Sequence, residues 1–171
     1  FITRFNERIA INGEPIADQD LLHYVQKVVP VVESLDKELP EGGPTEFEID
    51  TAIMFCYFAD HDLDVVILEV GIGGLYDSTN VIEDPVVTAV VTVGYDHMKY
   101  LGSTIADIAG QKAGIIKNGV PMVTGDLPND AQSVIAQVAK KHDCTVYRLG
   151  RDFQATLVGH QTIYPELSYT G

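Results

Sequence analysis

Hydrophobic and polar residues alternate along this chain in blocks that predict strands and helices in turn. An unbroken apolar run at residues 65–68 and a mostly apolar run at residues 85–93 are typical of strands that are buried on both faces of a parallel sheet. Helical spacing of apolar residues predicts helices at residues 18–30 (with a further turn or two up to residue 39), 45–58, 102–118 and 129–141. Shorter apolar runs predict strands at residues 120–124 and 145–149, and an alternating tail predicts an antiparallel pair at residues 153–158 and 162–169. This order predicts an α/β fold in a single domain, residues 1–171, with a mostly parallel sheet, helices on both faces and a small antiparallel strand pair at the C-terminal end.

Chemically competent side chains stand where the two apolar runs end. Glu69 closes the first run and is followed by a glycine-rich turn, and His97 closes the second run after Gly94. Ligands of open α/β sheets bind outside the carboxyl ends of the strands. If the two strands are neighbours, Glu69 and His97 can approach a common Mg²⁺, although histidine is an unusual magnesium ligand. The alternative is a plain glycine turn with a solvated glutamate at its edge.

The predicted helix at residues 102–118 contains two glycines, Gly110 and Gly114, on either side of Lys112. Each glycine costs about 1 kcal/mol relative to alanine in a helix interior. Small residues at this spacing therefore indicate close approach of another backbone or of a ligand, and Lys112 lies where that approach occurs. The alternative for Lys112 is an ordinary solvated lysine on a helix surface.

Composition limits the classes of partner. Lys and Arg number 11 against 25 Asp and Glu, a net charge of -14, which argues against nucleic acid and against anionic membranes as partners. Cys56 and Cys144 lack the spacing of a zinc site or a disulfide framework and fit a reducing compartment. No apolar run approaches the ~20 residues that a membrane helix needs. These features predict a soluble cytoplasmic protein.

Several stretches together resemble the folylpolyglutamate synthase family, within the wider group of Mur-type ATP-dependent amide ligases. The matching stretches occur in the family's order and are RFNERIAING at residues 4–13, PTEFEIDTA at 44–52, LEVGIGGLYDSTNVI at 68–82, GYDHMKYLGSTIADIAGQKAGIIKNGVP at 94–121 and GRDF at 150–153. The resemblance implies a ligase that uses ATP and Mg²⁺ to activate the γ-carboxylate of a folate as an acyl phosphate, which the amine of L-glutamate then attacks.

The resemblance also implies roles for individual residues. The glutamate of the LEVGIGG-like motif and the histidine of the DH motif are magnesium ligands in the family, and these positions are Glu69 and His97. The family lysine that is carried as a carbamate corresponds to Lys112, which is thereby implied as the catalytic residue. The stretches on the family's folate side imply substrate contacts, at Phe5, Asn6, Arg8, Thr45 and Phe47.

The chain also departs from the family pattern. Leu75 replaces a family arginine, and Gln111 replaces a family glutamate. The family's glycine-rich phosphate loop and its glutamate-binding second domain are not among these 171 residues, so the ATP-binding residues are unknown and we expect no synthase activity from this chain alone. Three alternatives stay open: a bifunctional dihydrofolate synthase, a Mur-type ligase with another acceptor, and a divergent, non-catalytic binding domain.

Overall fold

The chain divides into two compact units, Phe1–Glu69 and Val70–Gly171. The structure is a computed structural model that describes residues 3–40, 42–157 and 167–170. Within these ranges no helix is both long and apolar enough to cross a membrane. The predicted single domain would comprise both units and stays a prediction.

The first unit consists of a small hairpin followed by two helices. A 3₁₀ helix, Phe5–Arg8, leads into strands β1 (Ala10–Ile11) and β2 (Glu14–Pro15), which pair antiparallel. The predicted turn between these strands is confirmed, with positive φ angles of 52° at Asn12 and 84° at Gly13. Helices α1 (Asp18–Glu38) and α2 (Glu46–Ala59) then pack on each other around a core, formed by Ile9, Ile16, Tyr24, Val28, Ile53 and Tyr57.

Helix α1 runs continuously through Pro30, so the prediction that the helix stops at this proline is wrong. A proline inside a helix removes one backbone hydrogen bond and costs about 3 kcal/mol. Val28 is buried and Val32 is packed against the same core on the far side of Pro30, while Pro30 itself is exposed. Apolar packing on both sides of the proline therefore outweighs the local preference.

A polar contact supplements the core between α1 and the end of α2. The Tyr24 hydroxyl donates a hydrogen bond to Asp60 Oδ2 at 3.2 Å, and Lys27 Nζ lies 3.1 Å from the same oxygen. Hydrogen bonds from Lys27 and Tyr24 lower the pKa of Asp60 below its usual value. The carboxylate of Asp60 is therefore the form that links the two helices.

The second unit is built on one parallel sheet with helices packed against it. Strands β3 (Thr88–Val90), β4 (Met122–Thr124) and β5 (Val146–Arg148) are parallel in the order β3-β4-β5. Helices α4 (Ile105–Ala113) and α5 (Asn129–Lys141) pack against each other over one face of this sheet, in a core that includes Val90, Met122, Ile108 and Ile135. On the other face, Ala89 and Tyr147 are exposed.

The remaining elements agree with the predicted α/β order. A short helix, α3 (Met98–Leu101), precedes α4, and an antiparallel pair, β6 (Gln154–Leu157) and β7 (Leu167–Thr170), confirms the predicted pair near the C-terminal end. Part of the predicted second strand of that pair lies outside the described residues. Helix α4 is shorter than the predicted 102–118, because Gly114 already forms its C-cap.

Two strand predictions are wrong in extent or in burial. No strand is assigned in residues 61–70, and Val65 and Ile67 are 76% and 89% exposed. The second predicted strand is reduced to β3, and Val86 and Val91, just outside it, are 92% and 70% exposed. An apolar run shows that a segment favours burial, but a strand also needs a partner that hydrogen-bonds to it, and among the described strands β3 pairs only with β4.

Candidate active site

A buried aspartate organises the glycine-rich turn at residues 71–77. The Asp77 carboxylate is 7% exposed and accepts hydrogen bonds from the backbone N–H groups of Gly71 and Ile72, at 3.0 and 2.9 Å. Its other oxygen accepts from the backbone and the hydroxyl of Thr79, at 3.0 and 2.6 Å. Four donors on one carboxylate fix the path of the turn, which is the local role for which aspartate is favoured in loops.

The turn lies directly against the last turn of α4. The Leu75 N–H donates to Gln111 O at 2.9 Å, and a Cβ placed on Gly114 would stand 2.4 Å from Leu75 Cα. A Cβ on Gly74 would in turn lie 3.0 Å from Gln111 O. The predicted close approach of a second backbone is therefore confirmed at Gly114. At Gly110 an added Cβ would meet no atom of the described residues within 4 Å, so no second backbone approaches there, and the alternative of a ligand at Gly110 stays a prediction.

Asn80 connects the two sides of this contact. Its Nδ2 donates to Leu75 O at 3.2 Å and to Gly114 O at 3.1 Å. Lys117 Nζ donates to the backbone oxygen of Asn80 at 3.2 Å. Sequence reasoning missed both Asn80 and the Asp77 carboxylate, although short polar side chains directly after a glycine turn are a known signal of side-chain to backbone hydrogen bonding.

Lys112 occupies the last turn of α4, next to the residues that contact the glycine turn. Its side chain is half-buried, and among the described residues no carboxylate forms an ion pair with its Nζ. The amine is therefore not committed to a described anionic partner. The catalytic role of Lys112 stays a prediction.

His97 follows β3 by a short loop and has an uncommon backbone conformation, with φ 50° and ψ 33°. The left-handed region is sparsely populated by residues other than glycine, and such outliers cluster at functional sites. Its N–H donates to Asp96 Oδ1 at 2.7 Å, and its Nε2 lies 3.7 Å from Asp96 Oδ2. The side chain is 52% exposed, so the imidazole is open to a ligand from solvent.

Glu69 is the last residue of the first unit and is exposed. Among the described residues, no group of three or more His, Cys, Asp or Glu side chains is arranged to hold a metal ion. Mg²⁺ usually keeps several waters and is held by one or two protein carboxylates together with substrate phosphates, so it does not require such a cage. An exposed carboxylate such as Glu69 fits this donor chemistry.

The predicted folate-side residues near the N-terminus make contacts within the first unit. Asn6 is buried and donates from Nδ2 to Ile16 O at 2.7 Å and to Asp18 Oδ1 at 3.0 Å. Arg8 Nη1 lies 2.8 Å from Asp50 Oδ2, and burial raises the pKa of Asp50 even though Arg8 opposes that shift. These polar side chains hold the hairpin region onto the helices.

The remaining predicted folate-side residues are Phe5, which lies beside Arg8, and Thr45 and Phe47, which lie at the start of α2. The Arg8 guanidinium lies 5.2 Å from the centre of the Phe5 ring. Thr45 caps α2, because its Oγ1 accepts from Glu48 N at 3.3 Å while its N–H donates to Glu48 Oε2 at 2.7 Å, which confirms the predicted capping box. Hydrogen bonds from Thr45 lower the pKa of Glu48. Phe47 is 36% exposed at the first turn of the same helix.

Comparison with known proteins decides the family. A family model described as the Mur ligase middle domain matches residues 20–170. The chain belongs to the Mur ligase family. This confirms the sequence-based resemblance, and the observed α/β fold is the one that this family assignment requires.

Known relatives of this Mur ligase domain are similar to it over most of its length. The dihydrofolate synthase/folylpolyglutamate synthase of Bacillus subtilis is 50% identical over 143 residues, which cover 83% of this chain and 33% of the relative. Among solved structures, the apo form of folylpolyglutamate synthase (FPGS) from L. casei has 44% sequence identity to this chain and a TM-score of 0.88. The match covers 99% of this chain and 41% of the L. casei chain. An FPGS–AMPPCP–folate complex has the same identity and a TM-score of 0.89, and the match covers 99% and 41%. The chain therefore spans about a third of the length of its curated relative.

Proposed function

We propose that this Mur ligase domain is the ATP-using part of an enzyme that adds L-glutamate to the γ-carboxylate of a folate. One observation carries the proposal: 99% of the chain superposes with a TM-score of 0.89 on an FPGS–AMPPCP–folate complex, at 44% identity. The complex contains both an ATP analogue and folate. Activity and substrates belong to the whole protein, of which this chain corresponds to about a third in its relatives.

The proposed reaction proceeds in two steps. The γ-phosphoryl group of ATP is transferred to the folate γ-carboxylate, which gives an acyl phosphate and ADP. The neutral amine of glutamate then attacks the acyl carbon, the C–O bond to phosphate breaks, and an amide, inorganic phosphate and a proton are produced. Bound Mg²⁺ supplies positive charge that stabilises the transferring phosphoryl group.

The proposal assigns the metal and catalytic roles to three residues. Glu69 and His97 are magnesium ligands, and Lys112 carries a carbamate as the catalytic residue. Among the described residues no carboxylate forms an ion pair with the half-buried Lys112, so its nitrogen is not occupied by an anionic partner from that part of the chain. The side chains of Glu69 and His97 are each exposed, and each can, taken by itself, contact a hydrated ion that keeps part of its water shell.

Folate recognition is proposed for Phe5, Asn6, Arg8, Thr45 and Phe47. Phe47 is exposed enough to contact an aromatic ring system, and Phe5 is half-buried beside Arg8. Asn6, Arg8 and Thr45 already make intramolecular hydrogen bonds, so they serve the substrate indirectly, by fixing the elements that carry the aromatic residues.

We place the enzyme in the cytoplasm, where its free cysteines suit a reducing environment.

A second candidate is a bifunctional enzyme that also makes dihydrofolate. The specific observation in its favour is the name of the B. subtilis relative, which combines both activities. The two functions differ in the acceptor carboxylate, since dihydrofolate synthesis uses dihydropteroate instead of a folate.

Phosphate release by the complete gene product distinguishes these functions. The protein is incubated with ATP, Mg²⁺ and L-glutamate together with tetrahydrofolate, dihydropteroate or a Mur-type peptide precursor as acceptor. The proposal predicts glutamate-dependent release with tetrahydrofolate, and release with dihydropteroate as well identifies the bifunctional enzyme. Release with the peptide precursor alone, or with no acceptor, contradicts the proposed function.

A further inference from the structure

Asn80 lies in a short 3₁₀ helix, Ser78–Val81, that follows the glycine turn. Its backbone angles, φ -82° and ψ 19°, are not helical and mark a kink within this segment. The side-chain amide nitrogen has two protons, and it uses them on one carbonyl from each side of the contact, Leu75 O and Gly114 O. One side chain thus joins the glycine turn to the end of α4.

The two carbonyl groups that Leu75 and Asn80 anchor lie on either side of Lys112 in sequence. Gln111 O accepts from Leu75 N one residue before Lys112, and Gly114 O accepts from Asn80 two residues after it. The backbone oxygen of Lys112 would itself stand 3.1 Å from a Cβ on Gly74. The turn therefore constrains the backbone from which the Lys112 side chain extends.

A lysine side chain has four methylene groups and is flexible, so only its backbone origin and its immediate surroundings can restrict where the terminal nitrogen lies. Reactive groups must be held within about 0.5 Å of their working position to be effective. A contact that fixes the last turn of α4 is therefore a condition for any defined position of the Lys112 nitrogen.

We propose that Asn80 is a positioning residue for Lys112: its amide holds the glycine turn against the end of α4 and so fixes the lysine that the reaction uses. This inference rests on the proposed function for the role of Lys112. The structural part, the restraint of the α4 end by Asn80, stands on the hydrogen bonds alone. Lys117 assists by donating to the Asn80 backbone oxygen.

The experiment compares Asn80→Ala and Asn80→Asp with the wild type in the complete gene product. Asn80→Asp keeps the shape of the side chain but removes both donated protons, and it provides a second variant if the alanine variant folds poorly. Asn118→Ala is the matched control, because Asn118 is an exposed asparagine that contacts His142 through its side chain and lies outside the turn. Folding of each variant is checked by circular dichroism.

Two readouts are independent of turnover: hydrogen exchange of the Leu75 amide and the rate at which an amine-acylating reagent labels Lys112. We expect both Asn80 variants to exchange and label about 10-fold faster than the wild type, while Asn118→Ala stays within about twofold. The third readout is the Mg²⁺ concentration for half-maximal phosphate release, because the anionic oxygens of a carbamate on Lys112 would be ligands suited to Mg²⁺. This concentration should rise about 10- to 100-fold, the usual effect of losing a residue that supports a metal site.

The outcomes separate this inference from the proposed function. Unchanged labelling and exchange in both Asn80 variants would overturn the inference, whatever the activity. Faster labelling and exchange with an unchanged Mg²⁺ requirement would overturn the positioning role. If the wild-type protein shows no glutamate-dependent phosphate release, the proposed function fails, and the labelling and exchange data still test the restraint by Asn80.

Discussion

Gly114 and Gly110 form a matched pair in one helix for which the structure predicts opposite effects of the same substitution. In Gly114→Ala, the new Cβ would lie 2.4 Å from Leu75 Cα and 2.8 Å from Leu75 Cδ1. Carbon atoms in contact normally stand about 3.5–4.0 Å apart, so the turn or the helix end must move by about 1 Å. In Gly110→Ala, the new methyl group meets no atom within 4 Å.

The magnitude follows from what this movement breaks. Overpacking costs about 1–3 kcal/mol, and loss of the Leu75 N–H to Gln111 O hydrogen bond, now 2.9 Å, costs about 0.5–1.5 kcal/mol. The better helix propensity of alanine returns at most about 1 kcal/mol. With that return taken in full, we expect Gly114→Ala to lower the free energy of unfolding by about 0.5–3.5 kcal/mol, and Gly110→Ala to raise it by up to about 1 kcal/mol.

Thermal unfolding of both variants measures this difference. At about 2–4 °C per kcal/mol for a chain of this size, Gly114→Ala should lower Tm by about 1–14 °C, while Gly110→Ala should leave it unchanged or raise it by a few degrees. Equal Tm values for the two variants would refute the reasoning, because the close contact at Leu75 would then carry no energetic weight.

Three further predictions concern the first unit. The Lys27 ion pair lowers the pKa of Asp60 in the folded protein. The stability that this pair contributes is therefore present above the ordinary carboxyl pKa and is lost as the pH falls through the lower folded value. Urea unfolding should show that the stability difference between the wild type and Asp60→Asn closes below about pH 4. Asn6→Ala leaves Ile16 O without its buried donor and should cost about 1–3 kcal/mol in the same assay. Thr45→Ala should lose about 1 kcal/mol of capping, whereas Thr45→Ser should keep it; equal losses in the two would contradict the capping role.

Local signals in the sequence were sufficient for helix α5 and for the start of α2. Helix α5, Asn129–Lys141, matches its predicted bounds because its apolar residues keep one helical period and face one core. The α2 start is confirmed in the same way, since a capping box is made by residues only three positions apart. Features that depend on neighbours in the chain are readable from the sequence alone.

Sheet membership could not be predicted in this way. The run at residues 65–68 has the composition of a buried strand, yet Ile67 is 89% exposed and no strand is assigned there. Strand pairing depends on partners far away in sequence, and their identity is not encoded in the run itself. The proline in α1 shows the same limit, because the packing of Val28 and Val32 against α2 outweighs the local signal at Pro30.

The candidate site was partly predictable. The unusual cost of a glycine at position 114 indicated a close backbone contact, and the structure confirms it with Leu75 as the neighbour. The connecting role of Asn80 was missed, because Asn80 and Gly114 are 34 positions apart in sequence and only the fold brings them together. The roles of Glu69 and His97 as metal ligands stay predictions.

The central claim is that Lys112 performs chemistry in an ATP-dependent folate ligase, and glutamate-dependent phosphate release by Lys112→Ala tests it most directly. The complete gene product is assayed with tetrahydrofolate, and Lys140→Ala, in the exposed last turn of α5, serves as the matched lysine control. The account predicts that Lys112→Ala lowers the rate of glutamate-dependent phosphate release by at least about 100-fold, as expected when a group that stabilises the transition-state charge is removed. For Lys140→Ala it predicts no more than about a twofold change in that rate. Equal rates for Lys112→Ala and the wild type would contradict it.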